Sequence, residues 1–298
     1  MTDKNRNIKF KGVFTAIITP FNADESIDFD SLKKLIDDNI ENGVAGIVPC
    51  GTTGESPTLD ENEHSKVIET TIKHVNGRVL VIAGTGSNCT KEAIARSVHA
   101  EKLGANALLL VNPYYNKPTQ EGLYRHFKAI ANSVKIPCIV YNIKGRTGVN
   151  VETSTLMRLI NDCSNIIAVK EASGDIDQIK DVIANAPDYF SVLSGDDNIT
   201  LQLIKEGGHG VISVISNFIP KQMSEMVDYA LNGNYESAEK INNQISELFV
   251  MEFVETNPIP VKYMLSQKGF CKEVYRLPMC ELSDANKIKV KEAIKNYV

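Results

Sequence analysis

Lys170 sits near the end of the run Ile166-Ile167-Ala168-Val169-Lys170-Glu171-Ala172-Ser173. An apolar, β-branched stretch of this kind reads as a buried strand. Burying an ammonium is costly, so a lysine in such a setting tends to lose its proton. A neutral amine is a nucleophile towards carbonyl carbon, which points to Schiff-base chemistry. The competing reading is a lysine that leaves its stem in the core and its charge in water. What decides between them is the company the residue keeps. Cys50-Gly51-Thr52-Thr53-Gly54-Glu55, Asn112-Pro113-Tyr114-Tyr115-Asn116-Lys117-Pro118, Tyr141-Asn142-Ile143-Lys144-Gly145-Arg146-Thr147-Gly148 and Ser194-Gly195-Asp196-Asp197 each follow another apolar run. Gly51 and Gly54 allow a tight turn in which backbone amides and the Thr52 and Thr53 hydroxyls can cradle a small carboxylate. Tyr141 can pass a proton. Arg146, near Gly145 and Gly148, can grip a carboxylate with two parallel hydrogen bonds. Each has an ordinary alternative: a plain turn, a packed ring, a solvated charge. Asp196 and Asp197 read best as a helix N-cap pair before Ile199–Ile204.

The elements that must position these groups repeat along the chain. Eight short apolar runs occur: Val13–Ile18, Gly46–Pro49, Val79–Ala83, Ala107–Val111, Cys138–Tyr141, Ile166–Val169, Ser191–Leu193 and Gly210–Val214. They are continuous rather than alternating, as in strands buried on both faces of a parallel sheet. Their starts lie roughly 20–33 residues apart, the length of a βα unit. Leu32, Leu35, Ile36 and Ile40 form a helical stripe, as do Val67, Ile68, Thr71, Ile72 and Val75, and Leu123, Phe127, Ile130, Ala131 and Val134. Asp28 and Asp60 precede helix starts; Gly43, Gly77 and Gly104 follow helix ends. The pattern predicts an α/β fold, a (β/α)₈ TIM barrel with a C-terminal helical appendage, divided as residues 1–233 and 234–298. In the appendage Tyr235–Val254, Asn257–Lys268 and Ser283–Tyr297 read as helices, broken by Pro258, Pro260 and Pro278. In such a barrel the active site lies at the C-terminal ends of the strands, where all five polar clusters converge. A doubly wound sheet is the structural rival, but Gly84-Thr85-Gly86-Ser87-Asn88 lacks the third glycine of a dinucleotide turn.

Composition narrows the function. A net charge of −5 leaves no electrostatic footprint for nucleic acid or an anionic membrane. No apolar run approaches the roughly 18 residues of a membrane span, and the polar start Met1-Thr2-Asp3-Lys4-Asn5-Arg6-Asn7 lacks the apolar core of a secretory signal. Six scattered cysteines without a C-x-x-C pair fit a reduced, cytoplasmic setting. Five histidines without ligand spacing argue against a catalytic metal, and no cofactor is expected.

Gly51-Thr52-Thr53-Gly54-Glu55-Ser56, Pro113-Tyr114-Tyr115-Asn116-Lys117-Pro118, Tyr141-Asn142 with Gly145-Arg146-Thr147-Gly148, and Val169-Lys170-Glu171-Ala172-Ser173-Gly174 together resemble the dihydrodipicolinate synthase family, within the superfamily of pyruvate Schiff-base lyases and synthases. Ser194-Gly195-Asp196-Asp197, Gly207-Gly208-His209-Gly210-Val211-Ile212-Ser213 and Asn257-Pro258-Ile259-Pro260-Val261-Lys262 resemble it too. The likeness runs from about residue 12 to the C-terminus. It implies condensation of pyruvate, as a Lys170 imine and then enamine, with aspartate semialdehyde, on the lysine and diaminopimelate route. It further implies Tyr141 as proton donor and acceptor, with Thr52 and Tyr115 relaying protons to solvent. Thr53, Gly195 and the backbone at Ile212 would hold pyruvate, and Arg146 the aldehyde substrate's carboxylate. Tyr115 would reach into a partner subunit's site, so a homodimer or homotetramer is implied. Ser56, Pro57, His64, Asn88, Glu92 and Tyr114 match the family's site for inhibition by lysine.

Two departures stand out. Lys144 replaces a proline usual in the family, which predicts a freer loop around Arg146. Glu61 stands where lysine-sensitive members often carry a histidine. The double threonine and the Gly-Arg-Thr-Gly stretch favour the synthase over N-acetylneuraminate or other sugar-acid lyases of the superfamily. A non-catalytic barrel that binds a small acid is the reading from a different class.

Overall fold

The computed structural model describes residues 8–298; the polar N-terminal heptad, read above as lacking a secretory signal, lies outside the described residues. Eight parallel strands are hydrogen-bonded in chain order into a closed barrel: β1 (Gly12–Ala16), β2 (Gly46–Val48), β3 (Leu80–Gly84), β4 (Ala107–Val111), β5 (Cys138–Asn142), β6 (Ile166–Glu171), β7 (Ser191–Ser194) and β8 (Gly210–Ser213). Every residue of β1, β2, β5, β6, β7 and β8 is buried. Both faces of these strands therefore select apolar side chains, which is why Val and Ile fill consecutive positions.

Helices alternate with the strands: α1 (Phe29–Glu41), α2 (Glu61–Val75), α3 (Thr90–Leu103), α4 (Gln120–Ala131), α5 (Lys144–Thr147), α6 (Thr153–Asp162), α7 (Ile176–Asn185) and α8 (Thr200–Lys205). After β8 come α9 (Pro220–Leu231), α10 (Tyr235–Met251), α11 (Ile259–Gln267) and α12 (Asp284–Ile294). Asp28 caps α1 by accepting from the Ser31 amide at 3.0 Å. Asp60 and Glu63 form a reciprocal capping box on α2, satisfying amides that would otherwise lack partners. Asn76 itself takes the left-handed conformation at the end of α2 (φ 48°), one residue before Gly77. Pro260 opens α11 rather than breaking it, since the first helical turn needs no donor from a proline nitrogen. No described helix is long and apolar enough to cross a membrane.

Two compact units divide the chain, one of residues 8–12 and 82–212, the other of residues 13–81 and 213–298. In the first, β4, β5, β6 and β7 pair in parallel, and the register sets Tyr141 beside Lys170 and Asn142 beside Glu171. In the second, β1 pairs with β2. There α1 packs on α2 and α9, α10 on α9 and α12, and α11 on α12. The C-terminal helices thus share a core with the segment that carries Thr52 and Thr53.

Candidate active site

Within the first unit, strand geometry explains which side chains meet. Successive residues of a strand point to opposite faces. Lys170 and Tyr141, in register on adjacent strands, therefore face the same way, and the Lys170 Nζ lies 4.2 Å from the centre of the Tyr141 ring. Lys170 is 5 % exposed and Tyr141 5 %. No carboxylate pairs with this amine among the described residues. A buried amine held against a proton-carrying phenol, with no ion-pair partner, is placed to act as a nucleophile.

Asn142 and Glu171 take the other face, and here lies what sequence reasoning missed. The Asn112 Nδ2 donates to Asn142 Oδ1 at 2.9 Å, and the Asn142 Nδ2 donates to Glu171 Oε2 at 3.2 Å. The Ser173 amide donates to Glu171 Oε1 at 2.8 Å, and the Val151 amide to Asn142 Oδ1 at 2.9 Å. Burial pushes the Glu171 carboxyl above its ordinary range, against the pull of these hydrogen bonds. The network ties the ends of β4, β5 and β6 together directly behind the Lys170–Tyr141 pair. Its one visible signal was polar side chains closing otherwise apolar strands.

Gly195 follows β7, and its amide donates to the Glu171 carbonyl at 2.7 Å. A Cβ there would lie 2.7 Å from the Ala172 Cβ and 3.0 Å from the Lys170 Cε. The absent side chain is thus room for the lysine stem. Gly195→Ala is expected to displace the amine and lower kcat/KM by about 10²-fold, the cost of an ångström-scale misplacement, and to lower thermal stability as well, because the Ala172 Cβ cannot swing aside. Steady-state kinetics beside a melting curve check this; near-wild-type kinetics would contradict it. Ile212 is fully buried in β8.

Arg146 is exposed on α5. The loop expected around it is a single helical turn, closed by Thr147 and Gly148 amides donating to the Ile143 and Lys144 carbonyls at 3.1 and 2.9 Å. The Thr147 hydroxyl adds a bond to the Ile143 carbonyl at 2.7 Å. Lys144 takes the first helical position, where a proline fits because its missing donor is not needed. Lysine therefore loses no backbone bond there. Tyr115 is 89 % exposed with φ 73°, centred on a turn closed by the Asn116 amide and the Tyr114 carbonyl at 2.9 Å. A bulky residue in this region is strained, and a strained, solvent-facing tyrosine marks a functional candidate. Nearby, the Asn88 Nδ2 donates to the Tyr114 carbonyl at 3.2 Å. Glu92 accepts from Ser87 and pairs with Arg96 at 2.8 Å, so its charge already has a partner.

Thr52 and Thr53 belong to the second unit, on a turn bracketed by Cys50 (φ 56°) and Glu55 (φ 51°), both left-handed. The Gly54 amide donates to the Gly51 carbonyl at 3.2 Å. Thr53 is buried, Thr52 half-buried. Ser56 and Pro57 form the next turn, and His64 is buried on α2. Glu61 opens α2, where a negative charge suits the helix N-terminus.

The chain is similar to known proteins over nearly its whole length. A family model described as the dihydrodipicolinate synthetase family matches residues 9–297. The 4-hydroxy-tetrahydrodipicolinate synthase of Methanocaldococcus jannaschii is 52 % identical over 287 residues, covering 96 % of this chain and 98 % of its own. A dihydrodipicolinate synthase of Acinetobacter baumannii, solved with pyruvate, is 43 % identical with a TM-score of 0.94, covering 97 % of this chain and 99 % of its own. One from Cyanidioschyzon merolae, solved with lysine bound, is 39 % identical with a TM-score of 0.94, covering 96 % and 97 %. With the barrel, the Lys170–Tyr141 pair and this likeness over nearly the whole length, the chain belongs to the dihydrodipicolinate synthetase family.

Proposed function

We propose that this chain is a lyase that condenses pyruvate with aspartate semialdehyde to 4-hydroxy-tetrahydrodipicolinate, in lysine and diaminopimelate biosynthesis. The observation that carries the proposal is the buried Lys170 amine in register with Tyr141, in a chain whose relatives are named for this reaction. The Lys170 Nζ adds to the keto carbon of pyruvate and water leaves, giving an imine. Loss of a methyl proton gives an enamine, whose carbon attacks the aldehyde of the second substrate. The amine of that substrate then attacks the imine carbon, closes the ring and releases Lys170. Tyr141 delivers the proton with which the former carbonyl oxygen leaves as water, and Thr52 and Tyr115 pass protons onward. Thr53, Gly195 and the Ile212 backbone hold pyruvate; Arg146 holds the carboxylate of the semialdehyde. A coupled assay with pyruvate and aspartate semialdehyde is expected to show turnover, and N-acetylneuraminate none. Cleavage of N-acetylneuraminate with no semialdehyde turnover would move the assignment to the sugar-acid lyases; neither activity would favour a non-catalytic small-acid binder.

The exposed, strained Tyr115 supports a homodimer or homotetramer in which it completes a partner's site. Tyr115→Phe and Lys170→Ala subunits mixed into heterodimers are expected to regain activity above either parent; heterodimers without that gain would contradict a shared site. Lysine, bound to one relative, is proposed as an inhibitor through Ser56, Pro57, His64, Asn88, Glu92 and Tyr114. A rate unchanged by millimolar lysine would remove this part. A cytoplasmic setting suits the six free cysteines, and cell fractionation checks it.

A further inference from the structure

The second unit contains a polar assembly that the reaction scheme does not use. The Lys262 Nζ donates to Glu55 Oε1 at 2.6 Å, with both side chains at most 1 % exposed. The ammonium also lies 4.2 Å from the centre of the Phe21 ring. Glu55 is the left-handed residue that ends the Gly51–Gly54 turn, and its other oxygen accepts from the Arg276 amide at 3.4 Å. Two residues earlier, Thr53 Oγ1 accepts from the Asn257 Nδ2 at 3.0 Å, also buried. Asn257 and Lys262 thus reach the turn from the far end of the sequence, one on each side of Gly54. A buried carboxylate in a strained backbone persists only when its surroundings over-determine it, and this pair supplies that constraint.

A hydroxyl has one proton and two lone pairs. Because Asn257 fills a lone pair of Thr53, the Thr53 proton remains for another acceptor. We propose that Asn257 and the Lys262–Glu55 pair are positioning residues for Thr53, fixing its turn and keeping its hydroxyl as a donor to the carboxylate of the bound 2-oxo acid. The inference rests on the reading of Thr53 as a pyruvate-binding residue.

Pyruvate KM and the pyruvate concentration that half-saturates borohydride trapping at Lys170 test it, measured on wild type, Asn257→Ala, Asn257→Asp, Thr53→Val and the Asn257→Ala/Thr53→Val double variant. Loss of one hydrogen bond to a charged ligand is expected to raise the pyruvate KM about tenfold in Asn257→Ala and in Thr53→Val, with kcat within about threefold. The double variant should be no worse than Thr53→Val. Asn257→Asp, near-isosteric but an acceptor only, should capture the Thr53 proton and raise KM at least as much as Ala. A purely structural Asn257 would instead lower the active fraction and leave KM alone. A pyruvate KM within twofold of wild type in Asn257→Ala, or effects that multiply in the double variant, would overturn the inference. If wild type itself traps no pyruvate on Lys170, the functional reading falls and takes this inference with it.

Discussion

Lys170→Met is expected to fold as the wild type does and to lose activity by on the order of 10⁴-fold or more. The loss follows from covalent catalysis: without the amine there is no imine, no electron sink for the methyl carbanion and no enamine. The retention of the fold follows from the surroundings. Lys170 is 5 % exposed and has no ion pair among the described residues. A thioether of similar length leaves no charge stranded and fills the same space. Thermal stability should be unchanged or slightly higher, as is common where a functional group sits in a site that packing alone would not choose. Steady-state kinetics beside a melting curve check both halves. Residual turnover within about tenfold of wild type would contradict the assignment.

The same substitution at the other buried lysine should do the reverse. Lys262→Met strands the Glu55 carboxylate in an interior where both side chains are at most 1 % exposed. Breaking one half of such a pair costs about 3–5 kcal/mol. Burial lowers the Lys262 pKa, with the Glu55 charge opposing the shift; with the ammonium removed, the carboxylate keeps the long hydrogen bond from the Arg276 amide at 3.4 Å in place of the ion pair. Replacing both members is milder, because no charge remains unpaired, so Lys262→Met/Glu55→Gln should recover part of the loss. Urea unfolding followed by circular dichroism reads this directly. A Lys262→Met variant within about 1 kcal/mol of wild type would mean that the pair is not a stabilising element. Two buried lysines thus separate by partner: Lys262 is held by a carboxylate, and Lys170 has no ion pair among the described residues.

How far the sequence reached is clearest at particular positions. The barrel was legible because strands buried on both faces are mostly apolar, and all eight runs are dominated by apolar residues, with Thr15, Ser191 and Ser213 as the polar exceptions. Their ends were less so. β6 continues through Lys170 to Glu171 because Asn142 and Glu171 pair in register, information that belongs to two strands rather than one. The burial of Lys170 at the end of an apolar strand was legible from its type and setting. The network of Asn112, Asn142 and Glu171 was not, since its hydrogen bonds span 29 and 30 residues and depend on register. Asn257 and Thr53 are 204 residues apart, a separation over which local pattern carries nothing. α5 was missed for a different reason: Lys144-Gly145-Arg146-Thr147 contains a glycine and a β-branched residue, both poor helix formers. The turn is held instead by the Thr147 hydroxyl reaching back to the Ile143 carbonyl.

The most direct measurement is borohydride reduction of the enzyme in the presence of pyruvate, followed by mass spectrometry of its digest. Reduction converts an imine to a stable secondary amine. A carboxyethyl adduct on Lys170, absent when pyruvate is omitted, is the predicted result. Folded protein that carries no adduct, or carries it on another lysine, would contradict the claim that this amine performs the chemistry.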